Sequence, residues 1–222
     1  MTNQLQTTTH YETTSRIAAY LSLVSVAAFL VLLIVLYFLE PEFNPPHLIS
    51  EYELGRFGFL MSLAFFCLGA GSLFLARALW IDLRTKGDRF GGWWLILVGI
   101  AYIGAGIFAP DPTSIVESRL HGLFGLIVIF SSPIVFTLLS RSLIHNERWS
   151  EAEHLLKRAT ILAWLGLLLF YGSIIIFYGL AHRSNITVVG WTNRFMIAAY
   201  SAWLMTTTWQ AIKLNRIYNS QV

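Results

Sequence analysis

The residues with the most chemistry to offer lie in one stretch, Gly106-Ile-Phe-Ala-Pro-Asp-Pro-Thr-Ser-Ile-Val-Glu-Ser-Arg-Leu-His-Gly122. It holds Asp111, Glu117, Arg119 and His121 between two long apolar runs. A carboxylate, a guanidinium and an imidazole this close can bind an anion or zwitterion, hold a metal ion or move a proton. Pro110 and Pro112 bracket Asp111 and stop the preceding helix, which leaves the carboxylate at a helix C-terminus. The macrodipole disfavours an anion there, so Asp111 needs a cation, a metal or a proton. His121 is expected in the first turn of the next helix, where the dipole favours the neutral imidazole. Gly122 and Gly125 leave room beside it.

Two other stretches carry charge toward the same end of the chain's fold. The segment Leu39–Arg56 is acidic, with Glu40, Glu42, Glu51 and Glu53, and is stiffened by Pro41, Pro45 and Pro46. Ser50 stands where it can cap a helix starting near Glu51, and Glu53 falls at the capping-box position, which leaves Glu51 as the candidate for function. Arg194 lies about six residues into the last apolar run, roughly 9 Å below its boundary at 1.5 Å per residue. Such a cation snorkels to the surface or pairs with a carboxylate, and Asp111 or Glu51 is the expected partner.

These residues must be positioned by helices in a membrane. The 222 residues are 56% hydrophobic and only 12% charged, against about 25% charged in soluble domains. That is too little charge to coat a globule in water. Six apolar runs approach the roughly 20 residues needed to cross the hydrocarbon. They are about Ile17–Phe38, Phe57–Trp80, Gly92–Phe108, Leu120–Leu139, Ala159–Leu180 and Val188–Ile212. Lipid cannot satisfy backbone polar groups, so the fold class is all-α, a bundle of six transmembrane helices. Small residues mark the packing faces: Ala18 and Ser22 on the first run, and Ser201 and Thr208 in an Arg194-Ala198-Ser201-Met205-Thr208 stripe on the last. Pro133 interrupts the fourth run and is expected to kink it.

Orientation follows from Lys and Arg. Arg16, Arg77, Arg84, Lys86, Arg89, Arg141, Arg148, Lys157, Arg158, Lys213 and Arg216 fall on one side, and Arg56, Arg119, Arg183 and Arg194 on the other. Both termini are therefore expected in the cytoplasm, with the linkers 39–56, 109–119 and 181–187 facing outward. Residues 1–15 read as a disordered cytoplasmic tail, 16–216 as one transmembrane domain and 217–222 as a second tail. The localisation implied is the cell (inner) membrane. The first run is too long for a signal-peptide core and lacks a cleavage site, so it is expected to remain as a span. The basic residues sit at membrane edges, which gives no indication of nucleic-acid binding. The lone Cys67 lies in an apolar run.

Three groups of residues resemble the pattern of a bacterial membrane-protein family named domain of unknown function 998. Ile49-Ser-Glu51 with Leu54-Gly55 is similar to its step into the second span. Phe108, Asp111 and His121-Gly122 are similar to its stretch between spans three and four. Gly190, Arg194 and Trp203 are similar to its last-span pattern. Tyr52 and Glu53 are additional to the first motif, and Asn193 stands where an acidic residue often precedes the arginine. The resemblance covers about residues 15–215. It implies six helices and no particular activity.

Three functions fit these residues. The first is binding, sensing or transport at an outward pocket formed by Glu51, Asp111, Arg119, His121 and Arg194. Its mixed charge suits a small anionic or zwitterionic molecule or a lipid head group. No acidic residue lies at mid-membrane, which argues against a proton-coupled pump. The second is an intramembrane, zinc-dependent lipid hydrolase. The chain is loosely similar to the membrane ceramidase and progestin-receptor-like superfamily, which implies Ser62, Asp111 and His121 as catalytic candidates. The metal candidates are then His121, Asp111, His47 and His182. That superfamily has seven helices and a His-x-x-x-His motif, neither of which is found here. The third is a structural or partner-stabilising subunit, in which the outer charges are ion pairs and caps.

Overall fold

Glycine sets how closely the helices pack. A Cβ on Gly69 would lie 2.7 Å from the Gly99 carbonyl oxygen, so the second and third helices meet backbone to backbone at this pair. In the computed structural model, residues 2–111, 113–180 and 187–219 are described, with side chains over 13–111, 113–177 and 187–214. The long helices are α1 (Thr2–Leu39), α2 (Gly58–Leu79), α3 (Lys86–Ile107), α4 (Ile115–Ile144), α5 (Glu153–Ile174) and α6 (Thr187–Asn219). Short 3₁₀ turns cover Pro41–Phe43, Ile49–Leu54 and Glu147–Ala152, and a π-helical segment, Ile175–Leu180, continues α5. No strand occurs among the described residues.

Each helix packs on its neighbours in sequence, and α6 packs back on α1 to close the ring. The faces turned away from the bundle are apolar: Val24, Val31, Ile34 and Phe38 on α1, Ile161 and Leu168 on α5, and Ile175 on its π-helical continuation. Side chains this apolar on the outside of a fold require lipid rather than water around them. Five stretches are long and apolar enough to cross a membrane: Thr13–Leu39, Gly58–Leu79, Lys86–Ile107, Ile115–Ile144 and Glu147–Phe177. α6 is not among them. It carries Asn193, Thr207, Thr208 and Gln210, all buried, and so turns its polar residues into the bundle. Ser201 and Thr208 of the expected stripe are buried, whereas Ala198 is exposed.

Two polar ties lock this ring. The Ser22 hydroxyl donates to the Gly71 carbonyl at 2.8 Å and lies 3.0 Å from the Thr208 hydroxyl, joining α1, α2 and α6. Trp203 Nε1 donates to Ser140 at 3.0 Å and Thr160 at 3.2 Å, and its ring stacks on Phe136 at 4.1 Å. That joins α4, α5 and α6.

α4 runs on through Pro133. Proline has no N–H for the Ile129 carbonyl four residues earlier. The Tyr200 hydroxyl of α6 donates to that oxygen instead, at 2.7 Å. At the N-terminal end, α1 continues as helix back to Thr2, through the segment expected as a disordered tail.

The bundle has two ends. One holds the 40–57 linker and residues 108–111, 113 and 114 and is called the acidic end. The other holds residues 80–85 and 145–152 and is called the basic end.

Candidate functional site

The acidic end is built on Gly190 and Arg194, one turn apart on α6. A Cβ on Gly190 would lie 2.8 Å from the Pro46 carbonyl oxygen and 3.0 Å from that of His47. Glycine here lets the linker lie directly on the helix. Arg194 then reaches the linker backbone. Its Nη1 donates to the carbonyls of His47 (2.7 Å) and Gly190 (3.1 Å). Its Nη2 donates to the Phe43 carbonyl (3.0 Å) and the Tyr52 hydroxyl (3.2 Å). The guanidinium lies 5.6 Å from the centre of the Tyr52 ring. Beside it, Asn193 accepts from the Ile49 N–H at 3.0 Å. The Tyr52 hydroxyl is oriented by Asn44, to which it donates at 2.6 Å.

Arg194 therefore pairs with neutral acceptors, and the expected ion pair with Asp111 or Glu51 is not made. Among the described residues no carboxylate is within ion-pair reach of it. Glu51 is occupied by His47 Nδ1 and by the Leu48 N–H at 3.2 Å. The capping role expected of Ser50 and Glu53 belongs to this Leu48–Glu51 pair, because the segment starts a 3₁₀ turn at Ile49 rather than an α-helix near Glu51. Asp111 stands apart. Its carboxylate accepts from the Thr113 N–H and hydroxyl, both at 2.7 Å, which hold its carboxyl below the usual range. An N–H and a hydroxyl thus satisfy the charge that was expected to need a cation, a metal or a proton. Arg119 is exposed and joins no ion pair among the described residues. The five-residue pocket expected from Glu51, Asp111, Arg119, His121 and Arg194 is not assembled. His182 lies outside the described residues.

What the fold does assemble is Glu53, Ser62 and His121. α4 begins at Ile115, capped by Ser114, so His121 sits beyond its first turn. The end of α3, rather than the α4 dipole, fixes its ring. Nδ1 lies 2.8 Å from the Phe108 carbonyl and 3.1 Å from that of Ala105, so this nitrogen carries the proton. Glu53 Oε2 lies 3.5 Å from the same nitrogen, and Ser62 donates to Glu53 Oε1 at 3.0 Å. The Glu53 side chain is 1% exposed. Burial pushes its carboxyl up to about 7, against the downward pull of the Ser62 hydroxyl. The hydroxyl faces the carboxylate and makes no bond to the imidazole, so these three groups do not form a nucleophile–base relay. They form a buried acid beside an imidazole. His121 also lines a cavity of about 60 Å³ together with Ser50, Tyr102 and Asn193. That volume admits a few water molecules.

Among the described residues, no three His, Cys, Asp or Glu side chains come together as a metal-binding group. His47 faces Glu51, His121 faces backbone carbonyls, and Asp111 faces Thr113.

Two features of this end were missed in the sequence. Glu40 is 1% exposed and accepts from the Phe57 N–H at the entrance to α2, with Gly55 packed against its carboxylate. Its signal was a glutamate placed directly after a long apolar run. Of the two departures from the family pattern, Tyr52 is a partner of Arg194 and Asn193 holds the Ile49 N–H beside it. A third missed feature lies at the basic end. There a cleft of about 790 Å³ is lined by Asp82, Arg84, Asp88, His145, Glu147 and Arg148. Arg148 pairs with Asp82 at 3.2 Å, and burial pushes the Asp82 carboxyl up against the pull of that arginine.

No curated protein and no solved structure matches this chain. A family model does, over residues 14–210. The span takes in the Glu40–Phe57 contact, the Glu53–His121 cluster and the Gly190–Arg194 seat, and it places the chain in the family described as protein of unknown function (DUF998).

Proposed function

We propose that this is a non-catalytic, six-span protein of the cell membrane that binds a small anionic molecule or anionic head group at its acidic end. α6 is the sixth span, both termini are cytoplasmic, and the acidic end faces outward. The eleven-to-four distribution of Lys and Arg supports that orientation. The buried polar face of α6 accounts for its low hydropathy.

One observation carries the binding reading. Arg194 is partly buried, is held by four neutral acceptors and has no carboxylate partner among the described residues. A guanidinium placed this way keeps its full charge near the membrane boundary, where an incoming anion meets little competition from solvent.

Two experiments test this. In a Cys67→Ser background, Thr113→Cys should react with a membrane-impermeant thiol reagent in intact cells, and Thr85→Cys only after lysis. The reverse pattern overturns the orientation. Native mass spectrometry of protein released from nanodiscs should show a retained anionic species, reduced at least tenfold by Arg194→Gln. Equal retention by the variant defeats the binding reading.

A further inference from the structure

The cavity beside His121 is lined by groups that the Arg194 site does not use. It lies where the Ile49–Leu54 turn meets α2, α3, α4 and α6, and Arg194 is not part of its wall. Three of its polar side chains are nine-tenths or more buried: Tyr102 is 2% exposed, Asn193 5% and His121 9%. Asn193 Oδ1 is taken by the Ile49 N–H, and its Nδ2 makes no hydrogen bond among the described residues. His121 Nδ1 donates to the Phe108 and Ala105 carbonyls, so Nε2 of the neutral imidazole is a bare acceptor. That nitrogen also has no partner among the described residues. The Tyr102 hydroxyl faces Ser132, whose own proton goes to the Val128 carbonyl at 2.6 Å. Tyr102 can therefore only donate to Ser132, which leaves the phenol oxygen as an acceptor. A donor and two acceptors are thus left over on side chains that line one cavity, and buried polar groups are costly to leave without a partner.

The space sets the size of an occupant, and the wall sets its charge. The cavity of about 60 Å³ has room for roughly four to six water-sized groups. A Cβ on Gly125 would meet nothing within 4 Å, so α4 presents bare backbone to this space. Among the described residues, no Asp, Glu, Lys or Arg stands in the wall, and Glu53 reaches only the far nitrogen of His121. An ion would lose its hydration there with no opposite charge to replace it. Phe65, Val128, Met196 and Ile197 make much of the remaining wall apolar. Water satisfies the polar atoms but gains nothing from that apolar part, whereas a molecule with carbon on one side uses both. We infer that this cavity is a binding site for a small uncharged amide or alcohol, which donates to His121 Nε2 and accepts from Asn193 Nδ2. The inference does not rest on anion binding at Arg194, whose side chain lies outside the cavity.

The test uses the purified full chain in a fluorine-free detergent and reads fluorine NMR line broadening, with empty micelles subtracted. The probes are fluoroacetamide and fluoroethanol, which are neutral, and fluoroacetate and fluoroethylammonium, their charged counterparts of similar size. At least one neutral probe should broaden about threefold more, or better, than either charged probe. Gly125→Leu fills the cavity from a position where no other side chain stands in the way. It should abolish that excess and leave Tm nearly unchanged. If Gly125→Leu lowers Tm, Gly125→Ala, which adds one methyl group, takes its place and should reduce the excess clearly. Equal broadening by neutral and charged probes, or an excess that survives the Gly125 variants, overturns the inference. Broadening of no probe overturns it as well and leaves the cavity to water. Retention of an anion by Arg194 is read in a separate measurement and is untouched by any of these outcomes.

Discussion

The two ends of the bundle handle charge in opposite ways. At the acidic end, ionisable side chains are bound to backbone. Arg194 holds three carbonyls, Glu40 holds the Phe57 N–H, and Glu51 holds the Leu48 N–H. At the basic end charge meets charge across an open cleft, with Asp82 against Arg148 and, further out, Lys213 against Glu151. Backbone partners fix the path of a linker, because each bond pins one peptide to one side chain. Solvated ion pairs fix little, because water replaces either partner at small cost. The acidic end is therefore a fastened cap, and the basic end is a hydrated rim.

The contrast predicts a ranking of substitutions. Arg194→Ala should be the most damaging, by about 3 to 5 kcal/mol, because it leaves linker carbonyls unpaired where the chain is partly buried. Gly190→Ala should approach it, since the added methyl meets linker backbone. Thermal unfolding in detergent would check both, and a loss no larger than at the basic end would erase the distinction. Glu40→Ala should follow, at about 1 to 3 kcal/mol, for one orphaned N–H. Lys213→Ala should cost about 1 kcal/mol or less, as expected of its exposed pair with Glu151. Asp111→Asn should leave Tm unchanged, since Asn keeps the oxygen that accepts from Thr113.

Glu53 sharpens the contrast through pH. Its pKa is raised from the reference 4.5 to about 7 in the fold. Between those values the native state binds more protons than the unfolded chain, so stability falls as pH rises. Tm should decline from about pH 5 to pH 8, and Glu53→Gln should flatten that decline. A wild-type profile already flat over that range would mean that the buried carboxyl does not titrate there.

The sequence revealed the membrane helices because apolarity and length are local properties. The start of α3 was placed too late, at Gly92, because its first turn is polar: Thr85 and Asp88 exchange hydrogen bonds at 2.8 and 3.1 Å and start the helix at Lys86. His121 stood out in the sequence as an imidazole in a span-rich chain, and the fold sets it beside Glu53. Its partner Glu53 was not, because a turn register misplaced by one or two residues moved the capping role from Glu51. The seat of Arg194 was invisible for a different reason. Its partners are mostly backbone oxygens, and a carbonyl is the same atom in every residue. Only Gly190, small enough to let those carbonyls approach, marks the seat in the sequence.

Pro133 and Tyr200 carry a consequence for the timing of synthesis. The Ile129 carbonyl takes its side-chain bond from a hydroxyl on α6, which leaves the ribosome well after α4. Until then α4 holds an unpaired acceptor within an apolar segment, at a cost of several kcal/mol in hydrocarbon. A nascent chain lacking α6 should be recognised by quality-control proteases for this exposed polarity. Pro133→Ala, by restoring the missing N–H, should lengthen the lifetime of a chain truncated before Thr187 while doing little for the full-length protein. Pulse-chase labelling of the two truncated chains would measure it, and equal lifetimes would mean that assembly does not depend on this bond.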